Sequence, residues 1–133
     1  MQHHVLVIDD EPEVHEVIRL QLSGTRYQVL AAADGEQGIR LLEANALTVD
    51  VIICDVRMPK ISGVEAVAYF RREYPSTPVI VLTGYPDVNL AVQFLKQGAL
   101  EYLIKPVDKE KLVEAVDQAA AQRTLFSGPR PNE

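Results

Sequence analysis

Short apolar runs alternate along the chain with longer stretches in which apolar residues recur every three or four positions. The runs are short enough for single strands, and several are rich in Val and Ile, which favours buried β-strands. They are Val5–Ile8, Val29–Ala32, Val49–Cys54, Val79–Leu82 and Leu100–Ile104.

The longer stretches have the periodicity of amphipathic helices. In the first one, Val14, Val17, Ile18 and Leu22 share a face, and Gly24 ends the pattern. The others cover roughly Glu36–Asn45, Gly63–Tyr74, Val88–Gln97 and Lys109–Arg123. Strands that alternate with helices in this way predict an α/β fold, a (βα)5 chain whose parallel sheet carries helices on both faces.

Length, composition and charge narrow the class of protein. The chain has 133 residues, which suits one domain, and its single cysteine, Cys54, excludes a disulfide framework. The net charge of −6 argues against nucleic-acid contact by this domain. No apolar run approaches a membrane span and no secretory signal is present, so we expect a cytoplasmic protein without membrane contact. His3, His4 and His15 are expected to be solvated or structural.

The end of the chain differs in composition from the rest. After Arg123 comes TLFSGPRPNE, in which prolines, a glycine and polar residues are typical of a linker or frayed tail. We therefore predict one domain over residues 1–122 and a linker or disordered tail over residues 123–133.

Polar residues collect where the predicted strands end. Open parallel sheets bind ligands at the carboxyl ends of their strands. The residues at these ends are Asp9 and Asp10 after the first strand, Asp55 after the third, Thr83 and Gly84 after the fourth, and Lys105 followed by Pro106 after the fifth. Carboxylates crowded together need either a proton or a cation. Oxygen ligands with room for water suit Mg²⁺ best, so we expect a magnesium site here.

The other residues at these ends suit a phosphoryl group. Lys105 is a point charge on a long stem, and the proline after it keeps its backbone extended. Thr83 offers a hydroxyl donor, and Gly84 would allow a backbone N–H to approach closely. A metal, a lysine, a hydroxyl and a backbone amide together form a phosphoryl clamp, in which one carboxylate could act as the acceptor.

The segments IDDEPEV, ICDVRMPKISGVE, IVLTGY and GALEYLIKP, in this order, resemble the receiver domain of two-component response regulators. The resemblance covers about residues 3–122, and the segment TGYPDVNLAVQFLKQGALEYLIKP is most similar to receivers of enhancer-binding transcription activators. It implies a doubly wound five-stranded parallel sheet with the strand order 2-1-3-4-5, similar to flavodoxin and the chemotaxis receiver.

The resemblance also implies roles for the acidic residues. Asp55 is expected to accept the phosphoryl group. Asp9 and Asp10 are expected to bind Mg²⁺ as an acidic pair, with Asp10 favoured over Asp9 as a direct ligand. Asp55 and the backbone carbonyl of Arg57 would complete the ligands that the protein supplies to the metal.

Further implied roles concern catalysis and switching. Lys105 matches the lysine of the family, and its peptide bond to Pro106 is expected to be cis. Thr83 matches the switch hydroxyl that turns toward the phosphoryl group, and Tyr102 matches the switch aromatic that moves inward with it. These movements would bias a two-state face formed by the fourth predicted helix, the fifth strand and the fifth helix.

The implied function is signal transduction by phosphorelay. A sensor histidine kinase or phosphotransfer protein would donate a phosphoryl group from a phosphohistidine to Asp55, and the acyl phosphate would hydrolyse in time. The chain would assist its own phosphorylation and dephosphorylation without turning over a separate substrate. It would control an output domain or effector protein, and it could form a homodimer through the switching face.

The fourth predicted helix has apolar residues on two sides. The larger set, which we expect to face the sheet, is Val88, Ala91, Val92 and Leu95. Leu90 and Phe94 lie four residues apart on nearly the opposite side, so we expect them to be exposed. Our hypothesis is that Leu90 and Phe94 belong to a dimer or effector surface.

Other functions fit parts of the pattern. Phosphatases of the haloacid dehalogenase type also form an aspartyl phosphate with Mg²⁺, but their two acids are separated by one residue on the first strand, whereas Asp9 and Asp10 are adjacent. A flavin or nucleotide carrier needs a Gly-rich or Ser/Thr-rich turn after the first strand, where this chain has the acidic DDEPE. A receiver-like adaptor that binds partners without phosphorylation stays open as the alternative.

Overall fold

The computed structural model describes residues 3–57 and 62–127, and strands alternate with helices throughout. The strands are β1 (His3–Ile8), β2 (Tyr27–Ala32), β3 (Val49–Asp55), β4 (Val79–Thr83) and β5 (Glu101–Ile104). The helices are α1 (Pro12–Leu22), α2 (Gly35–Asn45), α3 (Gly63–Glu73), α4 (Val88–Lys96) and α5 (Lys109–Ser127). Every strand and helix predicted from the hydrophobic pattern is present, with ends that differ by a few residues.

The five strands are parallel and lie in the order β2-β1-β3-β4-β5, which confirms the order that the resemblance implies. β1 and β3 are neighbours, with Ile8 beside Cys54, so the residues that follow these strands meet at one edge of the sheet. β3 is buried along its whole length. A parallel sheet covered on both faces buries its central strands in this way.

The sheet separates two hydrophobic cores. On one face, α1 and α5 pack against the strands, and Ile18 and Leu112 are buried between them. On the other face lie α2, α3 and α4, which bury Leu42, Phe70 and Phe94 against the strands. Successive residues of a strand point to opposite faces of the sheet, and both faces are covered by an apolar core. Neighbouring residues along a strand are therefore both hydrophobic, which explains the apolar runs in the sequence.

Local side-chain chemistry sets the ends of several helices. Asp34, Ser62 and Asp87 accept hydrogen bonds from backbone N–H groups in the first turns of α2, α3 and α4. Gly24 and Gly98, which follow α1 and α4, have positive φ angles of 80° and 103°. Glycine adopts this region without steric cost, so Gly24 ends α1 as the pattern predicts.

The orientation of α4 is the main error of the sequence-based prediction. Phe94, predicted to lie at the surface, is fully buried, and Leu90 is half-buried against the same core. Val88 is 80% exposed, and Val92 and Leu95 are about half exposed, although the pattern predicts that they face the sheet. The exposed surface predicted for Leu90 and Phe94 is therefore wrong.

The buried side of α4 is the one with its largest side chain. Because α4 has apolar residues on both sides, periodicity alone does not decide which side faces the sheet. Burying Phe94 removes more apolar area from water than burying Val92. The Phe94 ring also stacks on that of Tyr102, with ring centroids 6.4 Å apart.

α5 is longer than the pattern predicts. It continues through Ser127 instead of ending near Arg123, because the first helix-breaking residue is Gly128. Residues 123–127, which composition assigns to a linker, are therefore helical, and residues 128–133 lie outside the described residues. No helix in the described part of the chain is both long and apolar enough to cross a membrane.

Candidate functional site

Carboxylates from two neighbouring strands converge at the carboxyl edge of the sheet. Asp9, Asp10 and Glu11 follow β1, and Asp55 is the last residue of β3. One carboxylate oxygen from each of these residues lies within 4.8 Å of the others. The parallel pairing of β1 with β3 thus brings together Asp9, Asp10 and Asp55, the three aspartates that were predicted to follow these strands. We call these four residues the acidic cluster.

Two members of the acidic cluster are buried and two are exposed. Asp9 and Asp55 are buried, whereas Asp10 and Glu11 are open to solvent. Asp9 Oδ1 accepts a hydrogen bond from the backbone N–H of Glu11 at 2.9 Å. Asp55 Oδ1 accepts one from the backbone N–H of Arg57 at 3.3 Å. The turns after β1 and β3 therefore fix the orientation of the two buried carboxylates.

Lys105 reaches the acidic cluster from the end of β5. Its Nζ lies 2.7 Å from Asp9 Oδ2 and 3.1 Å from Glu11 Oε1. The same Nζ is 3.7 Å from Asp55 Oδ2. Burial lowers the pKa of Lys105, but the hydrogen bonds and negative charges of Asp9, Asp55 and Glu11 together outweigh burial, so the pKa is raised. The side chain therefore stays a cation among the carboxylates.

The charge on Asp55 is only partly balanced. Burial raises the pKa of the Asp55 carboxyl to about 6, and the negative charge of Asp9 adds to this effect. The backbone N–H of Arg57 and the ammonium of Lys105 lower the pKa by less. A second cation beside Asp55 would stabilise its ionised form, because burial and Asp9 disfavour that form.

The turn after β4 lies beside Lys105. Thr83 is fully buried, and its hydroxyl accepts a hydrogen bond from the backbone N–H of Tyr85 at 3.0 Å. The Thr83 carbonyl accepts a 2.7 Å hydrogen bond from the N–H of Lys105, whose bond to Pro106 is cis, as the resemblance implies. A Cβ added at Gly84 would lie 3.8 Å from Lys105 Cδ, an ordinary contact. The structure therefore does not require glycine at this position.

Arg57 and Tyr85 connect two loops across the site. The guanidinium carbon of Arg57 lies 3.9 Å from the centroid of the Tyr85 ring, which is a close cation–π contact. Both side chains line a cavity of about 270 Å³ together with Asp10, Asp55 and Lys105. Since one water occupies about 30 Å³, the cavity has room for a phosphoryl group and a hydrated cation.

Tyr102 is not among the residues that line this cavity. Its ring is half-buried, and its hydroxyl accepts a hydrogen bond from the backbone N–H of Asp87 at 3.3 Å. Because Asp87 is the N-cap of α4, Tyr102 connects β5 to the first turn of that helix. The switching role of Tyr102 stays a prediction.

The donor set of the acidic cluster fits a hard divalent cation. All of its side-chain donors are carboxylate oxygens, and the exposed members leave space for water ligands. Asp9, Asp10 and Asp55 could therefore hold Mg²⁺. The Lys105 ammonium sits against Asp9 Oδ2, so a metal at that oxygen must compete with it. Coordination of the metal by the backbone carbonyl of Arg57 stays a prediction.

The expected metal ligands do not include Glu11, and no role was predicted for Gly63. Glu11 belongs to the acidic cluster and pairs with Lys105, and its position directly after Asp10 was the available signal. Gly63 begins α3, where an added Cβ would clash with the backbone of Val56. Only glycine allows α3 to start against the loop after β3, and no signal in one sequence shows that close approach.

The chain matches the sequence profile of the response regulator receiver domain over residues 5–117. The transcriptional regulatory protein GlrR of Escherichia coli (strain K12) is 37% identical over 130 residues, which cover 98% of this chain and 29% of GlrR. The response regulator protein PilR of Pseudomonas aeruginosa is 34% identical over 118 residues, which cover 89% of this chain and 26% of PilR. The chain thus spans less than a third of the length of these curated relatives.

Solved receiver structures share the fold. The crystal structure of a response regulator receiver domain protein from Clostridium thermocellum is 35% identical, with a TM-score of 0.86, and the match covers 93% of this chain and 98% of that one. The solution structure of the beryllofluoride-activated NtrC4 receiver domain dimer is 30% identical, with a TM-score of 0.82, covering 90% and 98%. This chain therefore belongs to the receiver domain family of two-component response regulators.

Proposed function

We propose that this chain accepts a phosphoryl group on Asp55 from a phosphohistidine of a sensor histidine kinase or phosphotransfer protein. The observation that carries the proposal is the position of the buried Asp55 carboxylate, which lies 3.7 Å from the Lys105 ammonium. Asp9 and Asp10 lie in the same cluster. Asp55 thus has a nucleophilic oxygen, a neighbouring cation and carboxylates able to hold a metal.

In the proposed transfer, a carboxylate oxygen of Asp55 attacks phosphorus while the P–N bond to the donor histidine breaks and its electron pair returns to the imidazole. Bound Mg²⁺ would neutralise charge on the phosphoryl oxygens. Asp55 attacks as the carboxylate, which predominates at neutral pH even with a pKa of about 6. Lys105 would turn from Asp9 toward a phosphoryl oxygen. In later hydrolysis, a water oxygen bonds to phosphorus and the P–O bond to Asp55 breaks.

The proposed switch starts at Thr83. Its hydroxyl accepts the Tyr85 N–H in this structure, whereas a phosphoryl oxygen on Asp55 would offer an acceptor to which it could donate instead. This exchange would release the loop that leads into α4. Tyr102 holds the N–H of Asp87 at the start of the same helix, so α4, β5 and α5 would respond together.

The face that would carry the signal has exposed apolar side chains. They are Val88, Val92 and Leu95 on α4 and Ile104 on β5. Exposed apolar groups that lie together favour contact with another protein. The NtrC4 receiver is described as a dimer when activated with beryllofluoride. We propose that this chain uses these side chains, in place of Leu90 and Phe94, for a homodimer or an effector.

We further propose that an output domain or effector protein reads the state of this receiver. GlrR is named a transcriptional regulatory protein and PilR a response regulator, and most of the length of each lies outside the match. The net charge of −6 makes nucleic-acid contact by this domain itself unfavourable. The domain would assist its own phosphorylation and dephosphorylation without turning over a separate substrate.

The direct test is the intact mass of the protein after incubation with acetyl phosphate and Mg²⁺. The wild type should gain one phosphoryl group, and Asp55→Asn should gain none. Asp50→Asn is the matched control, because Asp50 is a buried aspartate on the same strand but outside the acidic cluster. This control should gain the group as the wild type does. Chelation of the metal should prevent the gain in both the wild type and Asp50→Asn.

A wild type that gains no mass would be tested again with a phosphohistidine donor. Failure with both donors would refute phosphoryl acceptance and favour the phosphorylation-independent adaptor. A gain that persists in Asp55→Asn would show that another residue is the acceptor.

A further inference from the structure

A third buried carboxylate, Asp50, lies near the start of β3, at the opposite end of the strand from Asp55. Both of its oxygens are engaged. Oδ1 accepts a hydrogen bond from Arg123 Nη1 at 2.9 Å, and Oδ2 lies 2.7 Å from His3 Nδ1. We call Asp50, His3 and Arg123 the Asp50 anchor.

Arg123 holds three segments of the chain together. Besides its bond to Asp50, its Nη2 donates to the carbonyl of Leu47 at 2.9 Å and to that of Ala46 at 3.4 Å. These carbonyls lie just past α2, where a helix leaves acceptors without intrahelical partners. One guanidinium on α5 therefore binds both β3 and the end of α2. Arginine donates these bonds from two nitrogens of a planar fork, whereas a lysine ammonium would have to donate all of them from one nitrogen.

Another long-range polar contact joins α5 to β2. Asp117 Oδ1 accepts a hydrogen bond from the hydroxyl of Tyr27 at 2.7 Å. Among the described side chains, the apolar burial of α5 ends at Ala120, so Arg123 makes the contact nearest the end of the helix. The receiver profile stops at residue 117. Arg123 therefore lies beyond the profile, although the match to GlrR extends over nearly the whole chain.

We propose that the Asp50 anchor fixes the direction in which α5 leaves the domain, and so positions any segment that follows Ser127 relative to the sheet. Without Arg123, a buried carboxylate would lose its permanent cation, and α5 would lose these hydrogen bonds to β3 and to the segment after α2. α5 begins four residues after Lys105, so the same helix extends from the neighbourhood of the acidic cluster to the opposite end of β3. The anchor does not depend on phosphorylation of Asp55.

Hydrogen–deuterium exchange of the whole chain tests the anchor. In Arg123→Met, which keeps an apolar stem but removes the charge and the hydrogen bonds, the amides of residues 119–127 should exchange roughly tenfold faster or more. The amides of β1 and β3 should change by no more than about twofold. Arg19→Met is the matched control, because it removes an exposed arginine paired with Glu16 and should leave exchange in α5 unchanged.

A second variant keeps the shape of the anchor. Asp50→Asn should accelerate exchange in the same residues by a smaller factor, because an amide oxygen still accepts a hydrogen bond but carries no charge. Unchanged exchange at the end of α5 would overturn the proposal. Equal acceleration in the helix and the strands would also overturn it, because the anchor would then contribute only to global stability. Phosphoryl uptake is scored separately, so failure of the proposed function leaves this result intact.

Discussion

Replacing Asp55 by Asn should stabilise the folded protein at neutral pH in the absence of metal. The Asp55 carboxyl has a pKa of about 6 in the folded chain, raised first by burial and then by the charge of Asp9. Folding therefore disfavours the ionised form that the unfolded chain carries at neutral pH. An uncharged isostere removes this cost while it keeps the shape of the side chain.

The size of the effect follows from the shift in pKa. A pKa of about 6 in place of 3.8 corresponds to about 3 kcal/mol at pH values above both. The cavity beside Asp55 opens to solvent, so we discount this figure by about half, to ~1–2 kcal/mol. The folded state binds the Asp55 proton more tightly than the unfolded chain does. The free energy of unfolding of the wild type should therefore fall by this amount as pH rises from about 4 to about 6, and ionisation of Asp55 should cause no further fall above that pH.

Urea unfolding followed by circular dichroism suits the measurement, since the chain has no tryptophan. At about pH 7.5 the Asn variant should have the larger free energy of unfolding, and below about pH 4 the two proteins should agree. Millimolar Mg²⁺ should narrow the difference at neutral pH, because the wild type binds the metal more tightly. A variant that is no more stable at about pH 7.5, or that has the same advantage at both pH values, would refute the reasoning.

Three further predictions concern packing and metal competition. Phe94→Ala should lower the free energy of unfolding by about 3–5 kcal/mol, and Val88→Ala should lower it by less than about 0.5 kcal/mol. If urea denaturation showed the larger loss in Val88→Ala, the orientation of α4 would be contradicted. Gly63→Ala should destabilise the protein by about 1–3 kcal/mol or more, whereas Gly84→Ala should unfold at nearly the wild-type midpoint. Lys105→Met should bind Mg²⁺ more tightly in calorimetry, because its ammonium no longer competes for the acidic cluster, and weaker binding would contradict this account.

The strands and most of the site could be predicted from the sequence because each depends on local pattern. The unbroken apolar run that ends at Ile8 identifies a buried strand, and its end places Asp9 and Asp10 at the edge of a parallel sheet. Asp55 and Lys105 follow by the same rule. The strand order came from the family resemblance, because pattern alone does not order strands.

Features that depend on tertiary contacts could not be predicted. The sequence places apolar residues on both sides of α4, and only the volume of Phe94 in the folded core decides between them. The ion pair between Asp50 and Arg123 joins residues 73 positions apart, and no local pattern marks such a pair. The need for glycine at Gly63 depends on the backbone of another segment, and one sequence does not reveal that contact.

A helix with apolar residues on both sides is underdetermined by its own sequence. The only charged residue of α4 is Lys96, at its end, so rolling the helix about its axis would exchange Phe94 and Leu90 for Val92 and Leu95 without burying a charge. The two arrangements would differ in how well the buried side chains fill the core. A difference in packing costs less free energy than burying a charge, because neighbouring side chains can adjust to it. We therefore expect a rolled arrangement of α4 to be the nearest competitor of the observed fold in free energy.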